Sequence, residues 1–156
     1  MKMIRNGILA GFIATVAVTM MMMIKTASKQ FPELHVVRTL SDVIGTPDNL
    51  MIGFGVHLLI GTLVWGIAFA LLESRLPTWS YMVKGTMFGI LAWLLMMLIF
   101  MPLAGAGLFA VHRGTMMVPL VTLLYHLVFG LVLGSAYGWY APSVKRAKNN
   151  IVRNSS

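Results

Sequence analysis

The chain contains no cysteine. Disulfides, thiolate metal centres, thiol catalysis and c-type haem attachment are thereby excluded. Acidic residues are almost as scarce. The four are Glu33, Asp42, Asp48 and Glu73, and none falls inside an apolar run. No carboxylate pair is placed for general acid–base chemistry. The intramembrane carboxylate that ion-coupled transport relies on is missing as well. Only 10% of residues are charged, against about 25% in a soluble domain. So few charges cannot cover a water-exposed surface. With 58% hydrophobic residues and a mean hydropathy of +0.85, lipid must cover much of this one. The length of 156 residues suits one unit, residues 1–142, with a basic tail at 143–156.

What is abundant is uninterrupted apolar sequence. A bilayer core about 30 Å thick is crossed by about 20 helical residues. Four such runs lie at about 4–24, 50–72, 82–101 and 119–140. The expected fold is all-α, an integral membrane four-helix bundle. The second run has a start signal: Thr46 to cap, Pro47 at the first helical position, and Asp48 at the positive helix N-terminus. The third is expected to stop at Pro102. Lys2 and Arg5 before the first run resemble a signal peptide. That run is long, however, ends in Lys25 and lacks a small-x-small site, so a retained helix is expected. The short connection 73–81 predicts that the second and third helices are adjacent and antiparallel. Within the first long loop, PELHVVRTLSDVIG puts Leu34, Val37, Leu40 and Ile44 on one helical face, between Pro32 and Gly45. This predicts a short amphipathic helix over about 33–44, at the interface or capping the bundle.

The net charge of +8 does not point to nucleic acid, because the basic residues sit at the ends of apolar runs rather than in a patch. Counted by side, Lys2, Arg5, Arg75, Lys84, Lys145, Arg146, Lys148 and Arg153 stand against Lys25, Lys29, Arg38 and Arg113. The richer side is expected to be cytoplasmic, with both termini inside. Trp79, Tyr81, Tyr137, Trp139 and Tyr140 mark the same boundary.

The first and third runs share a pattern. Gly7-x-x-x-Gly11-x-x-Ala14 matches Gly85-x-x-x-Gly89-x-x-Ala92. In the second and fourth, His57-Leu58-x-x-Gly61 matches His126-Leu127-x-x-Gly130. The chain therefore reads as two tandem helical hairpins related by a pseudo-two-fold along the membrane normal. Gly53, His57 and Gly61 share one helical face, as do His126, Gly130, Gly134 and Gly138. Small residues at this spacing let helices approach closely in lipid. Both histidines should then face protein.

Only His57 and His126 bring ionisable side chains inside the runs, and such residues are functional candidates. His35 and His112 fall in the loops on the same side. Ten of the 14 methionines fall in that half too: Met20–Met23, Met51, Met96, Met97, Met101, Met116 and Met117. Imidazole and thioether together suit Cu(I), and two histidines from different helices can hold haem iron. Against this, methionine is an ordinary apolar filler, and a buried histidine needs only ordinary hydrogen-bond partners. Ser135 and Thr122 form no nucleophile arrangement, so no enzyme is expected.

The stretches GILAGFIATVAVTMMMMIK, FPELHVVRTLSDVIG, HLLIGTLVWGIAFALLE and KGTMFGILAWLLMMLIFMPLAGAGLF cover most of residues 5–140. They resemble a family of small bacterial four-span inner-membrane proteins without an assigned activity. The resemblance implies a bacterial inner membrane and carries over no functional residue. The expected role is non-catalytic: an accessory, assembly or stabilising subunit of a membrane complex or homo-oligomer, in contact with lipid and with another membrane protein or itself. One alternative is copper or haem binding by His57 and His126, assisted by Met97, His35 or His112. The other is a small-solute or ion channel.

Overall fold

The computed structural model describes residues 2–28, 36–47, 49–77, 80–113 and 116–141. The first three residues of the expected amphipathic helix, His35 among them, lie outside these, as do Asp48, Trp79 and the tail 143–156. Among the described residues five helices form the fold: α1 (Lys2–Ser28), α2 (Val36–Val43), α3 (Leu50–Arg75), α4 (Tyr81–Leu103) and α5 (Met117–Tyr140). There is no strand among the described residues. Four helices are long and apolar enough to cross a membrane, and each lies where the sequence places a span. This is the architecture of a multi-pass membrane protein. One end of the bundle carries the start of α1, the α3–α4 connection and the end of α5. We call it the terminal end, and the opposite one, with α2 and the α4–α5 loop, the loop end.

Two boundaries differ from expectation for local reasons. Thr46 does not cap α3. Its hydroxyl donates to Ser41 O (3.3 Å) and helps close α2, while Asn49 Oδ1 accepts from Ile52 N–H and caps α3 instead. Gly45, at φ +77°, ends α2 as expected, because this left-handed conformation suits glycine. The other boundary is Pro102, where α4 does not stop. A π-helical turn over Met96–Phe100 precedes it, and the helix continues to Leu103. Proline has no N–H to donate and clashes with a tight preceding turn. The wider turn relieves that conflict.

α1 is the centre of the packing, against α3 on one side and α5 on the other, and α5 packs along α4. Glycines set the distances. A β-carbon on Gly7 or Gly11 would strike the backbone of α3 at Gly66 and Gly61. One on Gly85 or Gly89 would strike α5 at Gly130 and His126. Matching the hairpins by these contacts sets Gly66 beside Gly130 and Gly61 beside His126. The sequence match of His57 with His126 is therefore one turn out of step with the contacts. The second π-helical stretch, Ile60–Trp65, accounts for one residue of that offset, since Gly61 and Gly66 are five positions apart where His126 and Gly130 are four apart.

α3 and α4 are neighbours only at the terminal end. There Phe88 meets Trp65 (ring centroids 5.8 Å) and Phe69 (5.4 Å), both edge to face. Phe69, Phe88, Leu133 and Tyr137 are buried and fill this half of the bundle. Glu73 and Lys84 join the two helices by an ion pair of 2.9 Å, with Lys84 Nζ 5.4 Å from the Tyr81 ring centre. Toward the loop end α3 and α4 part around a cavity that both helices line.

Candidate functional site

Where α3 and α4 part, the bundle holds a cavity of about 410 Å³. Every helix contributes to its wall. α1 supplies Thr15, Val18 and Met22, and α2 supplies Val36 and Leu40. α3 gives His57, Ile60, Gly61 and Trp65, and α4 gives Ala92, Leu95, Met96, Ile99, Phe100 and Leu103. α5 gives Thr122, Tyr125, His126 and Phe129. The rim reaches Leu95, Ile99 and Leu103, which are exposed on α4, so the cavity opens sideways toward the lipid-facing surface. Both π-helical stretches border it, through Ile60, Gly61 and Trp65 and through Met96, Ile99 and Phe100. Such turns widen a helix locally and occur often at functional sites.

α2 closes the loop end of the cavity. It lies on the first turns of α3, where Gly53 faces Val37 O and the Ser41 hydroxyl. Ser41 is fully buried, and its hydroxyl bonds both Val37 O (3.2 Å) and Asn49 O (3.1 Å). The contact face of α2 thus includes a serine and bare backbone. Of the expected apolar stripe, Leu40 is buried and Ile44 is exposed, while Leu34 lies outside the described residues.

The threonine hydroxyls in the wall are already satisfied. Thr15 Oγ1 donates to Gly11 O (2.7 Å) and Thr122 Oγ1 to Val118 O (2.8 Å). The imidazoles are not. His126 Nδ1 lies 2.8 Å from Thr122 O. A carbonyl oxygen only accepts, so Nδ1 carries the proton, and in a neutral ring Nε2 is left as a bare acceptor. His57 Nε2 is buried and has no hydrogen-bond partner. An unsatisfied buried polar atom costs about 1–3 kcal/mol. The other such atom among the described residues, Thr62 Oγ1, is not in the cavity wall.

His126 is held by a small network. Trp93 Nε1 donates to Pro119 O (3.1 Å) and to Thr122 Oγ1 (3.2 Å), which ties α4 to the turn of α5 that orients His126. The Trp93 ring in turn meets Phe109 at 5.7 Å. Phe109 and Ala110 sit at φ +51° and +58°, left-handed values that cost non-glycine residues about 1–3 kcal/mol each. Pattern reading missed Trp93, Trp65 and Tyr125, which carry no motif. Their relation to the site exists only once α4 lies against α5.

The two histidines singled out in the sequence are therefore brought to one cavity, on different helices, and neither faces lipid. The expected helpers are not there. Met97 is fully buried with Met101, Ala106, Ala110 and Val118, in a separate cluster on the far side of α4. Met96, not Met97, is in the cavity wall, on the face of α4 that carries Ala92, Ile99 and Phe100, and Met22 joins it. His112 is exposed in the α4–α5 loop, with Nδ1 3.3 Å from Gly105 O, and does not line the cavity. His35 lies outside the described residues. No group of three or more His, Asp or Glu converges on one point among the described residues.

No curated protein and no solved structure matches this chain. Residues 1–148 match the family described as "Family of unknown function (DUF6789)". That match takes in all four spans, α2 and both histidines, and the chain belongs to this family.

Proposed function

We propose that this protein is a non-catalytic binding protein of the membrane, whose bundle takes up a small apolar molecule from the bilayer. The observation that carries the proposal is the cavity: about 410 Å³, walled by apolar and aromatic side chains, open toward lipid, with two imidazoles among its few polar groups. Small-molecule sites have this character, with volumes of roughly 300–1,000 Å³ and a few polar groups in an apolar wall. The expected accessory or assembly role draws less support. Small size, missing chemistry and the glycine stripes point to that role, but Gly7, Gly11, Gly61, Gly66, Gly85, Gly89, Gly130 and Gly134 all meet other helices of the same chain. The same proposal takes the two hairpins as copies of one unit, and takes the membrane as a bacterial inner membrane with both termini cytoplasmic.

The test is native mass spectrometry of the chain released from nanodiscs formed directly from its own membranes. A small molecule bound one to one is expected, and it should be absent from Ala92→Leu, which fills the cavity. A wild-type chain that carries nothing, and whose melting does not respond to its own lipid extract, would refute the proposal.

A second reading is favoured by one observation: His57, His126, Met22 and Met96 line the same cavity. Two imidazoles and thioethers form a neutral, soft donor set suited to Cu(I). Stoichiometric copper in the natively purified protein, lost in His57→Leu and His126→Leu alike, is the expected outcome on this reading. Metal analysis of the purified chain decides it.

A further inference from the structure

We infer that the occupant of the cavity is an aromatic molecule bearing a hydroxyl, a phenol or hydroquinone with an apolar tail, and that His126 Nε2 accepts its proton in a hydrogen bond. This rests on the binding function proposed above and specifies its ligand.

Three features of the cavity select the chemistry. The first is the direction of the hydrogen bond. His126 Nδ1–H is committed to Thr122 O, and Nε2 has no protein partner among the described residues. A ligand that meets Nε2 must bring a donor. A ketone, an ether or a quinone oxygen brings none. The second is the flatness of the wall. Trp65, Phe100, Tyr125 and Phe129 line the space together with the two imidazoles. Rings stack or meet edge to face, and such pairs add to the gain from burial. An aromatic occupant uses this wall in a way that a branched aliphatic alcohol does not. The third is charge. The wall contains no Asp, Glu, Lys or Arg, so a phosphate headgroup or an ammonium would be buried without a counter-charge. A neutral ring with one or two hydroxyls fits that limit. Its tail would leave past Leu95, Ile99 and Leu103 into the bilayer.

The position of His126 is built rather than incidental. Trp93 holds the Thr122 side chain, and the Thr122 carbonyl fixes the imidazole. A histidine that only filled space would not require its acceptor nitrogen to be left bare beside a cavity.

The experiment uses the full chain in lipid nanodiscs with three probes of nearly one shape: a geranyl hydroquinone, its dimethyl ether and the corresponding quinone. Binding is read from quenching of tryptophan fluorescence and checked by calorimetry. The hydroquinone is expected to bind at least tenfold more tightly than either donor-free probe. In His126→Phe the preference should vanish while the ether still binds. In His126→Gln, which keeps an acceptor, part of the preference should return, and this variant serves if His126→Phe does not fold. Equal affinity of the three probes for the wild type would overturn the hydroxyl inference and leave the binding function standing. Preference unchanged in His126→Phe would remove His126 as the acceptor. If no probe binds but another molecule co-purifies one to one, the ligand class is wrong. If neither occurs, the binding function fails with it.

Discussion

The two ends of this bundle solve the same packing problem differently. At the terminal end, Phe69, Phe88, Leu133 and Tyr137 fill the space among four helices, and an ion pair closes the α3–α4 connection. At the loop end, the same helices part around about 410 Å³ of space. Composition does not explain the contrast, since both ends are apolar and carry glycine contacts. The difference lies in the helices themselves. α4 is regular around Phe88 and α3 around Phe69, whereas each contains a π-helical stretch beside the cavity, the one in α3 ending at Trp65 against Phe88. Both stretches border the cavity, through Ile60, Gly61 and Trp65 on α3 and through Met96, Ile99 and Phe100 on α4. In lipid, unfilled space has no water to occupy it cheaply, so a void forfeits dispersion contacts outright. A bundle that leaves such a space beside two histidines is giving up stability at one end that it secures at the other.

The sharpest way to break this comparison is at the tight helix crossings. A β-carbon at Gly134 would run into the carbonyl of Tyr81 and the α-carbon of Gly85, both backbone atoms that cannot turn aside. Gly134→Ile is expected to abolish the folded state, read as loss of a monodisperse species in mild detergent. Next in size is Phe88→Ala. The ring is 2% exposed and touches two others edge to face. Its removal should cost about 3–5 kcal/mol, measured by steric trapping in bicelles.

A finer test uses two alanines that the sequence pattern makes equivalent. Ala14 and Ala92 both follow a Gly-x-x-x-Gly step, and both are buried, at 0% and 1% exposure. Ala14 belongs to the packed core, and Ala92 borders the cavity. Leucine at position 14 has no room and should cost about 1–3 kcal/mol. Leucine at position 92 extends into open space, so stability should be unchanged or raised while ligand binding is lost. Equal penalties at the two sites, by the same unfolding assay, would mean that the cavity is not a persistent feature.

Much of this was legible in the chain itself. The four spans follow from hydropathy and length, and the motif Gly85-x-x-x-Gly89 correctly marks where α4 approaches α5. The inward placement of His57 and His126 follows from their spacing to Gly61 and Gly130. What could not be read is the change of helical period. A π-helical turn leaves no composition signal in IGTLVW or MMLIF, yet one carries α4 past Pro102 to Leu103 and the other adds one residue to the spacing of Gly61 and Gly66 relative to His126 and Gly130. The short connection between α3 and α4 predicts their adjacency but constrains their near ends only. Trp93 reaches Pro119 and Thr122, 26 and 29 positions away, so the network that orients His126 requires the α4–α5 register to be known first.

The smallest expected effect concerns the one place where a span glycine has no neighbour. A β-carbon at Gly53 would meet Val37 O and the Ser41 hydroxyl, whereas one at Gly55, two residues on, meets nothing within 4 Å. Gly55 is exposed on the outside of α3. If lipid alone covers that face, Gly55→Ala should be neutral or stabilising by at most about 1 kcal/mol, the ordinary gain from replacing glycine within a helix. Gly53→Ala in the same assay should be clearly destabilising, because α2 must shift. The informative result would be Gly55→Ala behaving normally in detergent yet losing a co-purifying protein or its own oligomer in native membranes. Only another helix pressed against bare backbone can make one methyl group costly there. That outcome would revive the accessory-subunit role from a surface that the intramolecular glycine contacts do not use.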